Sequence, residues 1–350
     1  MSTLILAIET SCDETAAAVV ADGTAVLSNI ISSQVEVHRQ FGGVVPEVAS
    51  RKHLELINHV IDGALAGAGA AFDSLSSVAV TYGPGLVGAL LVGVSAAKSI
   101  AYALDLPLVG VNHLEGHIYA NFLAEPGLKL PALCLVVSGG HTDLVYIAGH
   151  GNYRVVGRTR DDAAGEAFDK VARTIGLGYP GGPMVERLAR EGDAQAISLP
   201  RAYLEEGSFD FSFSGLKSAV INFLHRAGQR GDTVNRADLA AGFQKAVVDV
   251  LVDKTMAAAQ ALAVETVLLA GGVAANTALR ERLAERVREK GLTLVVPPPV
   301  LCTDNAAMIA CAAFHRLARG RLAPLSLNAV PDLELGEERY EGNFRGRVMN

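Results

Sequence analysis

Aromatic side chains are scarce in this chain of 350 residues: they make up 5%, and Trp is missing altogether. A core with so little aromatic bulk must be packed from small and branched aliphatics. Thirty-six Gly and a composition that is 50% hydrophobic supply them. That balance excludes disorder and suits closely stacked α/β layers, and the length allows two domains, each with its own core. Cysteine is sparse too. Cys12, Cys134, Cys302 and Cys311 form no CxxC pair and no disulfide-like ladder, which excludes a disulfide scaffold and points to a reducing cytoplasm. No basic excess exists: the formal net charge is −7, so a nucleic acid would have to be drawn by local patches or by a partner. The N-terminus enters an apolar strand without a basic segment, and no signal peptide is expected. The most apolar run, Leu86 to Ala97, ends at Lys98 and falls short of the roughly 20 residues of a bilayer span, so no membrane is expected. No GxxxxGK[ST] occurs, and the glycines at Gly271-Gly272 lack the GxGxxG spacing, which removes the simplest nucleotide-site readings of that loop.

What is present centres on Val111-Asn112-His113-Leu114-Glu115-Gly116-His117. Asn112 is a good N-cap, and a helix starting there follows a short buried strand. Residues four apart lie one turn up on nearly the same face, so His113 and His117 can offer two imidazoles to one metal ion. Two histidines at this spacing also arise by chance. Two nitrogens are too few, because catalytic sites generally use three protein ligands and leave a position open. The best third candidate is Asp304, within Leu301–Ala306 beyond the Pro297-Pro298-Pro299 break.

Leu4–Ile8, a polar turn over Glu9–Glu14 and Ala16–Val20 read as a β-hairpin. Ala132–Val137, the turn Ser138–Asp143 and Leu144–Ile147 repeat it, which predicts a duplicated domain. The first half continues with a helix over about 50–66, a strand at 77–81 and a small-residue helix through Lys98. In the second half, Asp161 and Asp162 look like caps of a helix reaching Arg173, and Gly178–Pro183 reads as a turn. Residues 190–235 look like a helical insertion in which Phe209–Ser214 alternates like a strand. A long helix (238–263), a strand (266–270), a Gly-Gly loop, a basic helix (277–290) with a solvated face, a strand near 294 and a helix (304–319) complete the pattern. Alternating strands and helices imply mixed sheets covered by helices. The boundaries read as 1–130, 131–325 and a tail, 326–350, that docks or frays.

Ser138-Gly139-Gly140 offers backbone N–H groups that can cradle a phosphate or carboxylate. Gly271-Gly272 stands between a strand and a helix, an order that suits a nucleotide at the carboxyl edge of a sheet. Asn276 suits an adenine or ribose edge. Asp169 suits ribose hydroxyls, or equally a salt bridge to Arg173 one turn on.

Taken together, the blocks Ile8–Thr15, His113–His117, Val137–Thr142, Asp162–Asp169, Gly178–Gly182, Phe213–Lys217, Gly271–Asn276 and Cys302–Ala306 resemble the TsaD family, the tRNA N6-adenosine threonylcarbamoyltransferases formerly described as O-sialoglycoprotein endopeptidases. The blocks stand in order from residue 5 to about 320. The resemblance implies the duplicated actin-like ATPase (ASKHA) fold, two lobes with a ligand site in the cleft between them. It implies transfer of a threonylcarbamoyl group from threonylcarbamoyl-AMP to the tRNA adenosine beside the anticodon, releasing AMP. It also implies one divalent metal, iron with zinc as the second choice, on His113, His117 and Asp304. The adenylate site carries over to Val136, Val137, Ser138, Gly139, Gly140, Asp169, Gly182 and Asn276. Some relatives place a Tyr ligand where Val136 stands, so here substrate or water would fill the fourth position. With no fused kinase segment the chain resembles the bacterial form, which works with a TsaB-like paralogue and a TsaE-like ATPase; a homodimer is one state for the isolated chain. The chemistry is consistent: a metal polarises the mixed anhydride, and a carboxylate is wanted to take the amine proton, for which Asp13 and Glu14 are the candidates.

An actin-like ATPase or small-molecule kinase is the main alternative, and a nucleotide-dependent scaffold without metal is another. Proteolysis is disfavoured by geometry. In HExxH the Glu directly follows the first His, whereas Glu115 stands one place later and, at about 100° per residue, points away from the pair.

Overall fold

The computed structural model describes residues 2–205 and 207–339. Residues 340–350 of the expected tail therefore lie outside the described residues. The chain divides into two compact units.

The first unit begins with β1 (Leu4–Glu9), β2 (Glu14–Ala21), β3 (Ala25–Ser33), the short α1 (Val35–Arg39), α2 (Pro46–Ala68), β4 (Ser77–Gly83), α3 (Val87–Leu104), β5 (Leu108–Asn112) and α4 (His113–Ala124). Its sheet has the order β3-β2-β1-β4-β5. β1 is antiparallel to β2 and parallel to β4, with Ile5 opposite Val20 on one side and Ser77 on the other. A central strand is covered on both faces, which is why Leu4–Glu9 is apolar almost throughout. The edge strand β3 carries Ser28, Asn29, Ser32 and Ser33, as befits a strand facing water along one side. Pro46 starts α2 and Gly69, at φ 60°, ends it, the usual asymmetry of helix ends.

α3 corrects one expectation. Its helix does not stop at Lys98 but runs on to Leu104, giving 18 residues long and apolar enough to cross a membrane by length and composition. The helix buries Leu90, Val94, Ala97 and Ala101 in the first unit, and Lys98 Nζ donates to the Leu327 carbonyl at 3.0 Å.

The second unit comprises β6 (Ala132–Val137), β7 (Thr142–Gly149), β8 (Asn152–Arg158), α5 (Ala164–Thr174), α6 (Gly181–Ala189), α7 (Ser214–Arg230), α8 (Arg236–Ala261), β9 (Thr266–Ala270), α9 (Thr277–Glu289), β10 (Thr293–Val295) and the single turn α10 (Pro299–Cys302). Its sheet order, β10-β9-β6-β7-β8, matches that of the first sheet strand for strand. Both sheets carry a third meander strand, β3 or β8, beyond the expected hairpin.

Three further expectations change. Asp161 and Asp162 do not cap α5, whose N-cap is Ala163 without a side-chain bond. Asp161 instead accepts from Phe213 N (2.8 Å) and Ser214 N (3.2 Å) at the start of α7, while Asp162 pairs with Lys170 and Lys217. Phe209–Ser214 is no strand; Phe211 forms an isolated bridge with Thr159, and Asp210 Oδ1 accepts Arg158 N at 3.0 Å. The turn expected at Gly178–Pro183 leads straight into α6, with Pro183 in its first turn, where proline's missing N–H costs nothing.

From Thr303 the chain rejoins the first unit, whereas the sequence pattern places residues up to 325 in the second lobe. α11 (Ala306–Leu317) is the reason. Ala306, Ala307, Ala310, Ala312 and Ala313 are fully buried, and such small residues let the helix lie close against α4 and β1. At the contact sits Gly116, where a Cβ would come within 2.5 Å of Ile309 Cδ1. The described part of the tail docks: Val330 N donates to the Tyr82 carbonyl and Gly85 N to the Pro331 carbonyl, just after Ala323 N has donated to the Leu108 carbonyl.

A ring cluster closes the far side of α11. His150 and His315 stack with centroids 3.9 Å apart, and the Tyr119 hydroxyl lies 2.9 Å from His150 Nδ1. Burial, then His150 and Arg319, push His315 down from its ordinary 6.5 to about 4. The folded state therefore favours neutral His315; this stability is complete above pH 6.5 and is lost as pH falls toward about 4. The expected result is a melting temperature that falls less steeply across that interval in His315→Phe than in the parent. Parallel curves would remove the cluster as a cause of acid lability.

Candidate metal centre and ligand cavity

β5 ends at Asn112, whose side-chain oxygen accepts Leu114 N (2.9 Å) and Glu115 N (3.4 Å) and so caps α4 as expected. His113 and His117 then stand one turn apart, with ring centroids separated by 4.6 Å. His113 is 7% exposed and His117 0%. Asp304 comes from the turn before α11, held by the cap Asn305, whose oxygen accepts Met308 N at 3.0 Å. Its Oδ1 lies 3.1 Å from His117 Nε2 and 3.6 Å from His113 Nε2.

The donor atoms of these three side chains lie within 4.8 Å of one another, a group that can hold a metal ion. One observation tests the fit. Among the described residues both ring nitrogens of buried His117 lack a hydrogen-bond partner, so the 3.1 Å approach to Asp304 is without hydrogen-bond alignment. Unaligned donors converging on one point are what shared coordination requires, and a buried imidazole left unpaired is otherwise costly. Two imidazoles and a carboxylate suit a first-row transition metal. Burial opposes charge on His113, but Asp304 and Glu9 outweigh it and lift the group to about 9.

Asp13 and Glu14 occupy the β1–β2 turn and the first position of β2. Ser33 Oγ donates to Glu14 Oε1 at 3.1 Å. Burial, followed by the carboxylates of Asp304 and Asp13, pushes Glu14 up to about 10, so without a cation it holds its proton at neutral pH. Burial and the same carboxylates also raise the Cys12 thiol. Glu115 is committed elsewhere: it is 1% exposed and pairs with Arg316 at 3.0 Å, which leaves no role for it as a protease base.

The second unit holds a cavity of about 180 Å³, lined among others by Gly139, Asp169, Gly182, Glu186, Gly272 and Asn276. Four of the residues expected to hold the adenylate are thus brought together. Gly139, Gly140, Gly182 and Gly272 all face open space: a Cβ at any of them would meet no atom within 4 Å. Val136 and Val137 are fully buried in β6, so only their backbones could serve a ligand. Ser138 N is used inside the turn, donating to the His141 carbonyl at 2.9 Å. Gly271 is required on two counts: its φ is +90°, and a Cβ would lie 2.4 Å from the Val137 carbonyl oxygen. Asp169 Oδ1 accepts Gly181 N at 2.6 Å, tying α5 to the start of α6. Asn276 caps α9 through Leu279 N (2.9 Å) and donates to Gln244 Oε1 (2.9 Å), so both of its polar groups already have partners. Glu186 carries no sequence signal; it reaches the cavity because the segment with the pattern of a turn continues as the helix α6.

A family model described as TsaD, tRNA N6-adenosine threonylcarbamoyltransferase, matches residues 25–311. The chain belongs to the TsaD family. It is 66% identical over 333 residues to the tRNA N6-adenosine threonylcarbamoyltransferase of Moorella thermoacetica, covering 95% of this chain and 97% of that protein. Its counterpart in Symbiobacterium thermophilum is 63% identical, with the same coverage. The duplicated actin-like ATPase fold of this TsaD family member extends to more distant structures. HypF from T. kodakarensis superposes with a TM-score of 0.62 at 15% identity, over 91% of this chain and 48% of that one. The activator of 2-hydroxyisocaproyl-CoA dehydratase from Clostridium difficile, with bound ADPNP, gives 0.53 at 16%, over 91% and 97%.

Proposed function

We propose that this chain transfers the threonylcarbamoyl group of threonylcarbamoyl-AMP to the N6 amine of the adenosine next to the anticodon, in tRNAs reading ANN codons. Family membership at 66% identity supports the reaction; the observation that carries the chemistry is the convergence of His113, His117 and Asp304. The amine nitrogen attacks the carbamoyl carbon, the bond from that carbon to the phosphate oxygen breaks, and AMP leaves with the electron pair. A cation on His113, His117 and Asp304 would supply Lewis acidity toward the carbamoyl or phosphate oxygens, and the two-His, one-carboxylate set favours iron, with zinc second.

The remaining work falls to the chain itself. Asp13 and Glu14 are the carboxylates proposed to take up the amine proton. Gly139 and Gly140 leave their backbone open to a phosphate oxygen. At about 180 Å³ the cavity is smaller than the roughly 300–1,000 Å³ of typical ligand sites. It therefore suits part of the adenylate, beside Asp169, Gly182 and Asn276. The partners in this reading are tRNA, a TsaB-like paralogue and a TsaE-like ATPase, with a homodimer for the isolated chain. The compartment is the cytoplasm, in keeping with four unpaired cysteines.

The decisive assay supplies threonylcarbamoyl-AMP, with the two partner proteins, in the presence and absence of tRNA. Modified adenosine and stoichiometric AMP that appear only with tRNA are expected. ATP turnover that ignores tRNA, without modified adenosine, would favour the actin-like ATPase or kinase reading instead.

A further inference from the structure

Glu9 ends β1 with its carboxylate fully buried. Among the described residues its ion-pair partner is His113, whose Nδ1 lies 3.1 Å from Glu9 Oε2. Among the described residues no Lys or Arg pairs with it, and a buried carboxylate is costly unless it is paired and hydrogen-bonded. Two further hydrogen bonds bring donors: Thr81 Oγ1 donates to Oε2 at 2.6 Å and Ser11 N to Oε1 at 2.5 Å. Ser11 Oγ also stands 3.0 Å from His113 Nδ1.

We propose that Glu9 is a positioning residue for the metal centre: it accepts the Nδ1 proton of His113 and thereby presents Nε2, the atom 3.6 Å from Asp304 Oδ1, to the cation. The inference rests on the metal reading above. A carboxylate can only accept, so the hydrogen bond requires the proton on Nδ1, leaving the Nε2 lone pair for coordination. Orientation of a ligating imidazole by a carboxylate on its other nitrogen also raises ligand basicity. Thr81 and Ser11 N, from β4 and from the turn after β1, hold the carboxylate in place. Glu9 is therefore spaced from His113 by 104 residues of sequence yet acts on it directly.

Glu9→Gln exchanges one oxygen for an NH2 group in a pocket of donors. Either that NH2 faces Ser11 N or Thr81 Oγ1, or it donates to His113 Nδ1 and moves the imidazole proton onto Nε2, the ligand atom. Zinc binding to the purified variant, titrated against a competing chelator, should weaken about 10- to 100-fold relative to the parent. In the zinc-loaded parent, ¹⁵N imidazole spectra should show His113 protonated at Nδ1 and coordinated at Nε2. The spectrum needs no variant, so it decides the matter even where Glu9→Gln does not fold. Coordination through Nδ1, or a folded Glu9→Gln with the parent's zinc affinity, would overturn the role of Glu9. A parent that takes up no cation would instead overturn the metal reading itself.

Discussion

His117→Ala is expected to keep its fold while losing its cation and its power to modify tRNA. His117 is fully buried, yet among the described residues its ring nitrogens hydrogen-bond no other group, so truncation strands no hydrogen-bond partner there. What disappears is one of the three proposed ligands, and two protein donors are too few for a catalytic site. Lewis-acid stabilisation of developing charge is worth several kcal/mol, and each 1.36 kcal/mol is a factor of ten in rate. A loss on the order of 1,000-fold in modified adenosine follows, with metal content falling from about one per chain toward zero. Elemental analysis of anaerobically purified protein and mass spectrometry of digested tRNA measure the two quantities. Full metal content with near-parent turnover would show that the three side chains are not the site. Asp304→Ala should lose the cation likewise; His113→Ala should lose it too and in addition be destabilised, because it leaves buried Glu9 without its ion-pair partner.

Arg316→Ala is expected to produce the largest loss of stability. Arg316 on α11 reaches Glu115 on α4 at 3.0 Å, with side chains 8% and 1% exposed, and also pairs with Glu338 at 2.7 Å. Removing one partner of a buried pair leaves an uncompensated charge and costs about 3–5 kcal/mol. At roughly 2–4 °C per kcal/mol for proteins of 150–250 residues, the melting temperature should drop by roughly 10 °C. The double variant Arg316→Met, Glu115→Gln should recover much of it, because the stranded charge is gone. A single variant that melts within about a degree of the parent would mean that solvent reaches Glu115. The two helices joined by this pair carry or adjoin all three proposed metal ligands, so metal affinity should fall with stability in the single variant.

Much of the site is legible along the chain because its signals are local. The spacing of His113 and His117 needs only helical geometry, and Asn112 announces the start of that helix by its own chemistry. The strand at Thr266–Ala270 and the helix from Thr277 are equally plain, bounded as they are by Gly271-Gly272 and Asn276. The elements that escape depend on neighbours. β3 and β8 lie at sheet edges, where polar residues blur the alternation. α6 hides behind Gly181, Gly182 and Pro183, which read as a turn until packing against α8 selects a helix. Asp161 looks like a cap for the nearest helix, and α7, some fifty residues further on, claims it.

The sequence by itself determined the paired imidazoles, the duplicated strand pattern and, through its motif blocks, the family, since each is written in short-range spacing. Only the tertiary structure decided that the last helix returns to the first unit, that Gly116 admits it against α4, and that Glu9 stands behind His113. Those outcomes turn on close packing between segments far apart in the chain, where a missing Cβ or a buried carboxylate acquires meaning only from what lies across from it.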